Sequence, residues 1–570
     1  MCGIALIVDD QNNLEIKTQN IISEIKHRGP DDEGFYFEKN LALGSNRLSI
    51  LDLSSNGKMP FTDKSGRYKI SFNGEIYNYI ELKEKFKIET KTETDTEVLI
   101  ELYSKLKERM LEYLNGIFAF IIYDIETKEI FCARDRLGIK PLYYFFSNNK
   151  LIISSEIKGI LKIEKKLNII NQNNLKNYLS TSFYDTDENT FYENIFQLKA
   201  SNYMTYSLNN NKLEKIRYWN LKENFKEDKN DNVLMNELHE LIQNSFKIQT
   251  RTDTDLGVNL SGGIDSKLMM LTLNKINSGQ KKIKASSFYF DDDEFSERNH
   301  LENFSNNIGW KTDFFKITYD DVINNFDSIY DSQDEPFPGI PTIGKDLLIK
   351  RSYNENFKVI LEGQGGDDFA AGYFYVFPFY LKSLSNNFKY YEVFNEVKKF
   401  IKKENFSLYN FIKYYFSSIN SFKGKFISAD GTSSYDKDIL NAKYKDNHNV
   451  IYKSILNNVE FIKSPLKKII YRDLFFCKLP RILRSCDRAS MSHSKELRVP
   501  LLDHNIVKFF YELSDNKLIK NGNLRDFYRR YIQKFYPQIS THEIFKKKKY
   551  VSDPQVKWLK TVLYDWALEK

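Results

Sequence analysis

Met1-Cys2-Gly3-Ile4-Ala5-Leu6-Ile7-Val8 opens the chain with a thiol at the head of an apolar run of the length of a buried strand. If Met1 is removed, Cys2 carries both a thiol and a free α-amino group. That amine has a reference pKa of ~7.7 to 8.0, so near neutral pH a fraction of it can take the thiol's proton, directly or through a water. Nucleophile and base then reside in one residue. Read in isolation, a Cys near a terminus is simply a small buried hydrophobe; the functional reading depends on the segments downstream.

Five such segments come in order: His27-Arg28-Gly29-Pro30-Asp31, Asn46-Arg47-Leu48-Ser49-Ile50-Leu51-Asp52, Phe72-Asn73-Gly74-Glu75-Ile76-Tyr77-Asn78, Thr94-Asp95 and Ala133-Arg134-Asp135. Singly, each charged residue here reads as a surface ion-pair partner. Together with Cys2 they resemble the class II glutamine amidotransferases, the N-terminal nucleophile family, over roughly the first 200 residues. The resemblance implies that Cys2 attacks the glutamine amide and that Asn73 and the Gly74 N–H form the oxyanion hole. It implies a glutamine site made by Arg47, Leu48, Ser49, Ile50, Leu51, Asn73, Gly74, Glu75 and Asp95. The planar fork of Arg47 suits the substrate carboxylate, and Glu75 and Asp95 suit its ammonium.

Further along, Leu256-Gly257-Val258-Asn259-Leu260-Ser261-Gly262-Gly263-Ile264-Asp265-Ser266 is an apolar strand entering a Gly-rich turn, and Lys267 to Leu273 reads as helix. A strand, a loop of small residues and a helix N-terminus make an anion site, because unpaired N–H groups and the helix dipole both favour phosphate. The pattern lacks the Gly-Lys-Ser/Thr of a P-loop. It resembles the pyrophosphate loop of the adenine-α-hydrolase ATP pyrophosphatases, which cut ATP between the α and β phosphates. Glu362-Gly363-Gln364-Gly365-Gly366-Asp367-Asp368 resembles the second nucleotide loop of asparagine synthetases, and Asp487 to Ser492 and Leu497 to Asp503 are typical of the same domain. The resemblance implies ATP contacts from Leu260, Ser261, Gly262, Gly263, Asp265, Ser266, Phe290, Glu362 and Gly363. It implies Mg²⁺ ligation by Asp265 and Asp367, a catalytic position at Gln364, and a lysine within Lys546 to Lys549, best aligned as Lys548, that neutralises the leaving pyrophosphate.

The whole chain thus resembles a glutamine-hydrolysing asparagine synthetase or a close relative. Glutamine would yield ammonia in the first half, and ATP with Mg²⁺ would adenylate an acceptor carboxylate in the second. A water-poor passage must join the two, since free ammonia is protonated in bulk solvent. Aspartate is the expected acceptor. Gln364 stands where asparagine-forming relatives carry Glu, and an amide cannot act as a base; Asp368 and Lys267 also depart from the pattern. The Gln-Gly-Gly-Asp form resembles a paralogous branch with members that amidate sugar carboxylates in surface-glycan pathways, and this is the alternative. Two further readings are a ligase with a vestigial first domain, as in β-lactam synthetase relatives, and a non-catalytic sensor of glutamine or nucleotide. Retention of Cys2, Arg47, Asn73, Gly74 and Asp95 argues against the former.

A chain of 570 residues exceeds one core. The first part, residues 1–219, alternates short apolar runs with turns and suits the four-layer αββα sandwich that the resemblance implies. Residues 220–232 read as a polar linker. Residues 233–570 alternate strands and helices, as expected for an α/β domain with a parallel sheet and added helices; within it, residues 374–468 read as helices and loops whose Tyr and Phe form core. The 84 basic and 77 acidic residues are interspersed and leave a net charge of +7, which gives no reason to expect nucleic acid as a partner. Cys2, Cys132, Cys477 and Cys486 show no metal-ligand spacing and fit a reduced cytoplasmic protein. No apolar run reaches the ~18 residues of a membrane span, so the expected partners are small molecules and, at most, a second copy in a homodimer.

Overall fold

The computed structural model describes residues 2–10, 13–147, 149–181, 184–223, 229–277, 282–289, 298–421 and 455–540. The strands among these residues are β1 (Cys2–Val8), β2 (Asp32–Glu38), β3 (Leu41–Arg47), β4 (Phe61–Thr62), β5 (Tyr68–Ile76), β6 (Gly116–Asp124), β7 (Glu129–Arg134), β8 (Tyr143–Ser147), β9 (Lys150–Ser154), β10 (Ile195–Gln197), β11 (Asn202–Ser207), β12 (Lys212–Arg217), β13 (Asp255–Asn259), β14 (Ile283–Tyr289), β15 (Thr312–Lys316), β16 (Phe357–Glu362) and β17 (Glu496–Arg498). The first twelve form two six-stranded sheets, ordered β10-β8-β9-β1-β3-β2 and β12-β11-β7-β6-β5-β4. All their pairings are antiparallel.

The opening run shows why the sheets stack. Ile4, Leu6 and Val8 of β1 point into the core shared with Ile70, Phe72, Phe118 and Phe120 of the facing sheet. Ala5 and Ile7 point the other way, onto Ile21 and Ile22 of the helix Leu14–Glu24 and onto Ile157 and Ile160. A period-two strand apolar on both sides must be covered on both sides, which gives the expected αββα layering.

The second half holds a five-stranded sheet in the order β15-β14-β13-β16-β17, with every pairing parallel. The chain leaves β13 towards β14 and returns on its other side as β16. The order therefore reverses between β13 and β16, and in open parallel sheets ligands bind in the crevice at the carboxyl ends of such strands. The loops after β13 and β16 are the two glycine-rich segments.

Two expectations need correction. The polar stretch 220–232 is partly built into the fold: Leu221 is buried in the core of the second half, Glu223 accepts the N–H groups of Lys463 and Ser464, and the next helix already starts at Asp231. Of the aromatics between 374 and 468, Phe377, Phe379, Tyr380, Phe400 and Phe411 are core, whereas Phe388, Tyr391, Phe394, Tyr409 and Phe416 are exposed.

Candidate active sites

Pairing of β1 with β3 sets Cys2 opposite Arg47. From the facing sheet, the Asn73 side chain meets Cys2, whose N–H donates to Asn73 Oδ1 at 3.2 Å. Asn73 is fully buried, and its Nδ2 has no hydrogen-bond partner among the described residues. A buried amide N–H left unmade costs ~1 to 3 kcal/mol, and an unmatched donor on the side chain that holds the Cys2 backbone is of the kind an oxyanion would use. Gly74 has φ +149°, and a Cβ there would stand 2.0 Å from the Ile117 carbonyl oxygen, so only glycine fits. If Cys2 is the nucleophile of a glutaminase, as the sequence resemblance implies, Asn73→Ala lowers kcat roughly 10²- to 10³-fold with little change in KM, as read by steady-state glutamate release.

The Cys2 thiol is pushed up by burial, while the Leu48 backbone and the Arg47 charge pull it down and Asp95 opposes them. Arg47, Leu48 and Asp95 thus act on one thiol, whose backbone N–H is held by Asn73. The Arg47 guanidinium is locked by the carbonyls of Ser54 (2.7 Å), Leu51 (3.1 Å) and Asp52 (2.5 Å). Asp95 opens the helix Asp95–Leu106 and accepts the Ile76 N–H at 2.7 Å; burial pushes its carboxyl up to about 6. Glu75 is raised well above the usual range by burial and by Asp95, against the pull of Arg498 from the second half, whose Nη2 lies 3.4 Å from Glu75 Oε1.

The loop 48–51 faces both ways. Leu48 and Ile50 bury their side chains against Leu256, Val359 and Met491. The Ser49 N–H donates to Asp31 Oδ2 at 2.7 Å, the Asp253 N–H donates to the Ile50 carbonyl at 2.9 Å, and the Asp52 N–H donates to Asp253 Oδ2 at 2.8 Å. The side chains of Leu48 and Ile50 are therefore committed to the second half.

In the second half, the turn after β13 closes on itself. Ser266 Oγ accepts the Ser261 N–H at 3.0 Å, Ser261 Oγ accepts the Gly263 N–H at 3.3 Å, and the helix Ile264–Asn277 begins directly. Leu260 is buried. The second loop interlocks with it: a Cβ on Gly366 would stand 2.6 Å from the Asp265 carboxylate, and one on Gly363 would stand 3.1 Å from the Asp265 backbone. Glu362 is held by Lys345 at 2.8 Å, and Gln364 is half-buried in the same loop. Asp265 and Asp367 converge on one guanidinium, with Arg525 Nη2 2.6 Å from Asp265 Oδ1 and Nη1 2.5 Å from Asp367 Oδ1. Tyr528 also donates to Asp265, at 2.9 Å. Burial raises Asp265, with Arg525 opposing. Asp368 is pushed up to about 7 by burial, against Lys478. Phe290 and Lys548 fall outside the described residues.

A buried ionic network joins the halves. Arg28 donates to Glu156 Oε1 (2.7 Å) and to Asp487 Oδ2 (2.9 Å), and its Nε lies 3.4 Å from the Cys2 carbonyl. Arg488 pairs with Glu156 (2.7 Å) and Asp334 (3.1 Å), and Lys140 stands 3.5 Å from Asp487.

Residues 1–219 match the family model for the glutamine amidotransferase domain, and residues 237–570 match that for asparagine synthase. Asparagine synthetase [glutamine-hydrolyzing] 1 of Bacillus subtilis is 28% identical over 595 aligned residues, covering 100% of this chain and 89% of its own. A Methanocaldococcus jannaschii protein that bears the name asparagine synthetase [glutamine-hydrolyzing] 2 provisionally is 33% identical over 405 residues, 65% of this chain and 76% of its own. Amidase chry2 of Gibberella zeae is 26% identical over 404 residues, 65% of this chain and 59% of its own. Two matched domains spanning nearly the whole chain, in the order that the two sites require, place this protein in the asparagine synthase family, as an ATP-dependent carbon–nitrogen ligase that takes its nitrogen from glutamine.

Proposed function

We propose that this chain makes asparagine from aspartate. Cys2 attacks the glutamine amide, Asn73 Nδ2 and the Gly74 N–H receive the oxyanion, and ammonia leaves. Arg47 orients the substrate carboxylate, and Asp95 and Glu75 receive its ammonium. At the second site, Ser261, Gly262, Gly263 and Ser266 cradle the ATP phosphates, Leu260 and Phe290 border adenine, and Glu362 and Gly363 complete the pocket. The aspartate side-chain carboxylate attacks the α-phosphate, and ammonia then displaces AMP from the acyl-adenylate. Lys548 is assigned to the leaving pyrophosphate.

Asp265 and Asp367 bring two carboxylates to one point, the oxygen-donor share a protein commonly gives to magnesium, and Arg525, which bridges them here, would give way to the ion. Bound there, magnesium would supply charge neutralisation at the pyrophosphate. The observation that carries the reading is the common footing of the two sites. Leu48 and Ile50, beside Cys2, pack on Leu256 and Val359, which belong to the strands that end in the two nucleotide loops.

A second reading, amidation of a sugar carboxylate by the same chemistry, is favoured by Gln364, which cannot serve as a base. AMP release with ATP, Mg²⁺ and glutamine against a panel of carboxylates separates the two. Aspartate-dependent AMP is expected. AMP that depends on a uronic acid and ignores aspartate supports the second reading, and no AMP with any carboxylate rejects both.

A further inference from the structure

Three carboxylates from two halves of the chain meet beside the glutamine pocket. Glu75 and Asp95 come from the first half and are 4% and 5% exposed; Glu496, the first residue of β17, is fully buried. Arg498, the last residue of β17, reaches between them. Its Nε donates to Glu496 Oε1, its Nη2 stands 3.4 Å from Glu75 Oε1, and its Nη1 donates to the carbonyls of Gln249 (2.8 Å) and Arg251 (2.7 Å). The guanidinium is thereby fixed through Nε and Nη1, while Nη2, which makes no hydrogen bond among the described residues, faces Glu75.

Glu75, Asp95 and Glu496 bring three buried carboxylates together at Arg498, with Lys140 also acting on Glu496 and Arg47 anchored on the carbonyls of Leu51, Asp52 and Ser54. Burying a carboxylate is costly, and burial raises both Glu75 and Asp95 above the ordinary carboxylate range, so that a nearby ammonium would favour their charged forms. Such a pocket suits ammonium groups, and two belong here: the α-amine of a processed Cys2 and that of the substrate.

We propose that the synthetase half completes the glutamine pocket, with Arg498, braced by Glu496, as the positioning residue that points Glu75 at the substrate's α-ammonium. This rests on the reading of the Cys2 site as the glutaminase. Arg498 touches no reacting atom; it acts through Glu75. Its strand also carries a connection to the other site. β17 pairs with β16 in the register Val359↔Glu496, Ile360↔Leu497 and Leu361↔Arg498, and Leu361 immediately precedes Glu362 of the nucleotide loop. The backbone that holds the second loop is therefore the backbone that places Arg498.

The test is a double-mutant cycle on the full-length protein with Glu496→Gln, Glu75→Gln and the pair, read as glutamine KM and kcat for glutamate release. Neutralising Glu496 frees Arg498 to close on Glu75 and draws that carboxylate away from substrate. The expected result is a KM raised about 10-fold in each single variant with kcat within about 3-fold, and a pair no worse than Glu75→Gln alone. Arg498→Lys, which keeps the charge but loses the fork, is expected to fall between wild type and Glu496→Gln. An unchanged KM in Glu496→Gln overturns the proposal, as does a pair whose effects simply multiply. A fall in kcat at constant KM, together with lost ammonia-dependent AMP formation, would mark a purely structural role and overturn it as well. Absence of glutaminase activity in the wild type would instead reject the reading of the Cys2 site.

Discussion

Cys2→Ala is expected to abolish glutamine-dependent amide formation, by at least about 10⁴-fold, while ammonia-dependent formation stays within about 2-fold. In the proposed reading the Cys2 thiol forms the acyl intermediate, so its loss removes the covalent route. The substitution deletes one atom from a side chain that is 5% exposed, and Asn73 and Arg47 keep their own anchors in the sheets. Ammonia added in solution bypasses the first site and still finds the nucleotide loops intact. The check is AMP formation by the purified variant with glutamine and, separately, with ammonium chloride. Parallel loss of both activities would contradict the division of labour between the halves.

Glu156→Ala is expected to destabilise the protein by about 3 to 5 kcal/mol, because removing one member of a buried ion group strands the charges left behind. Burial works against the Glu156 charge, but Arg488, His27 and Lys158 more than offset it and hold the carboxyl well below its ordinary range. Without it, the fully buried Arg28 and Arg488 keep, among the described residues, only Asp487 and Asp334 as carboxylate partners. A depressed carboxyl contributes stability that is fully present above its ordinary value of 4.5 and is lost only as pH falls towards the folded value. The penalty should therefore be equal at about pH 6 and about pH 8 and should shrink in acid, as urea unfolding at each pH would show. Arg28 also touches the Cys2 carbonyl, so the variant is expected to release more than one glutamate per AMP formed.

Much of this is legible in the linear sequence because it is local. Cys2 and the Asn73-Gly74 pair sit in short motifs, and the Ser261 to Ser266 turn is a strand, loop and helix read in one pass. The parallel sheet is implied by the alternation of strand and helix. What escapes the sequence is what the fold brings from far away. Arg525 reaches Asp265 across 260 positions, and Arg28 reaches Asp487 across 459. Arg498 lies in a segment typical of the synthetase domain, but nothing in the spacing of charges says that it turns towards Glu75. The loop 48–51 reads as a ligand loop, yet the apolar side chains of Leu48 and Ile50 are committed to the second half. Periodicity reports which residues are buried; it does not report what they are buried against.

If glutamine nitrogen passes to an ATP-activated carboxylate within one chain, its path can be followed by isotope. The protein is incubated with ATP, Mg²⁺, L-aspartate and glutamine labelled with ¹⁵N at the amide, in the presence of unlabelled ammonium, and the products are read by mass spectrometry. Asparagine carrying ¹⁵N, formed together with AMP, is the expected product. Formation of ADP in place of AMP, or an amide that carries only the unlabelled nitrogen of the bulk solution, would rule out such a transfer.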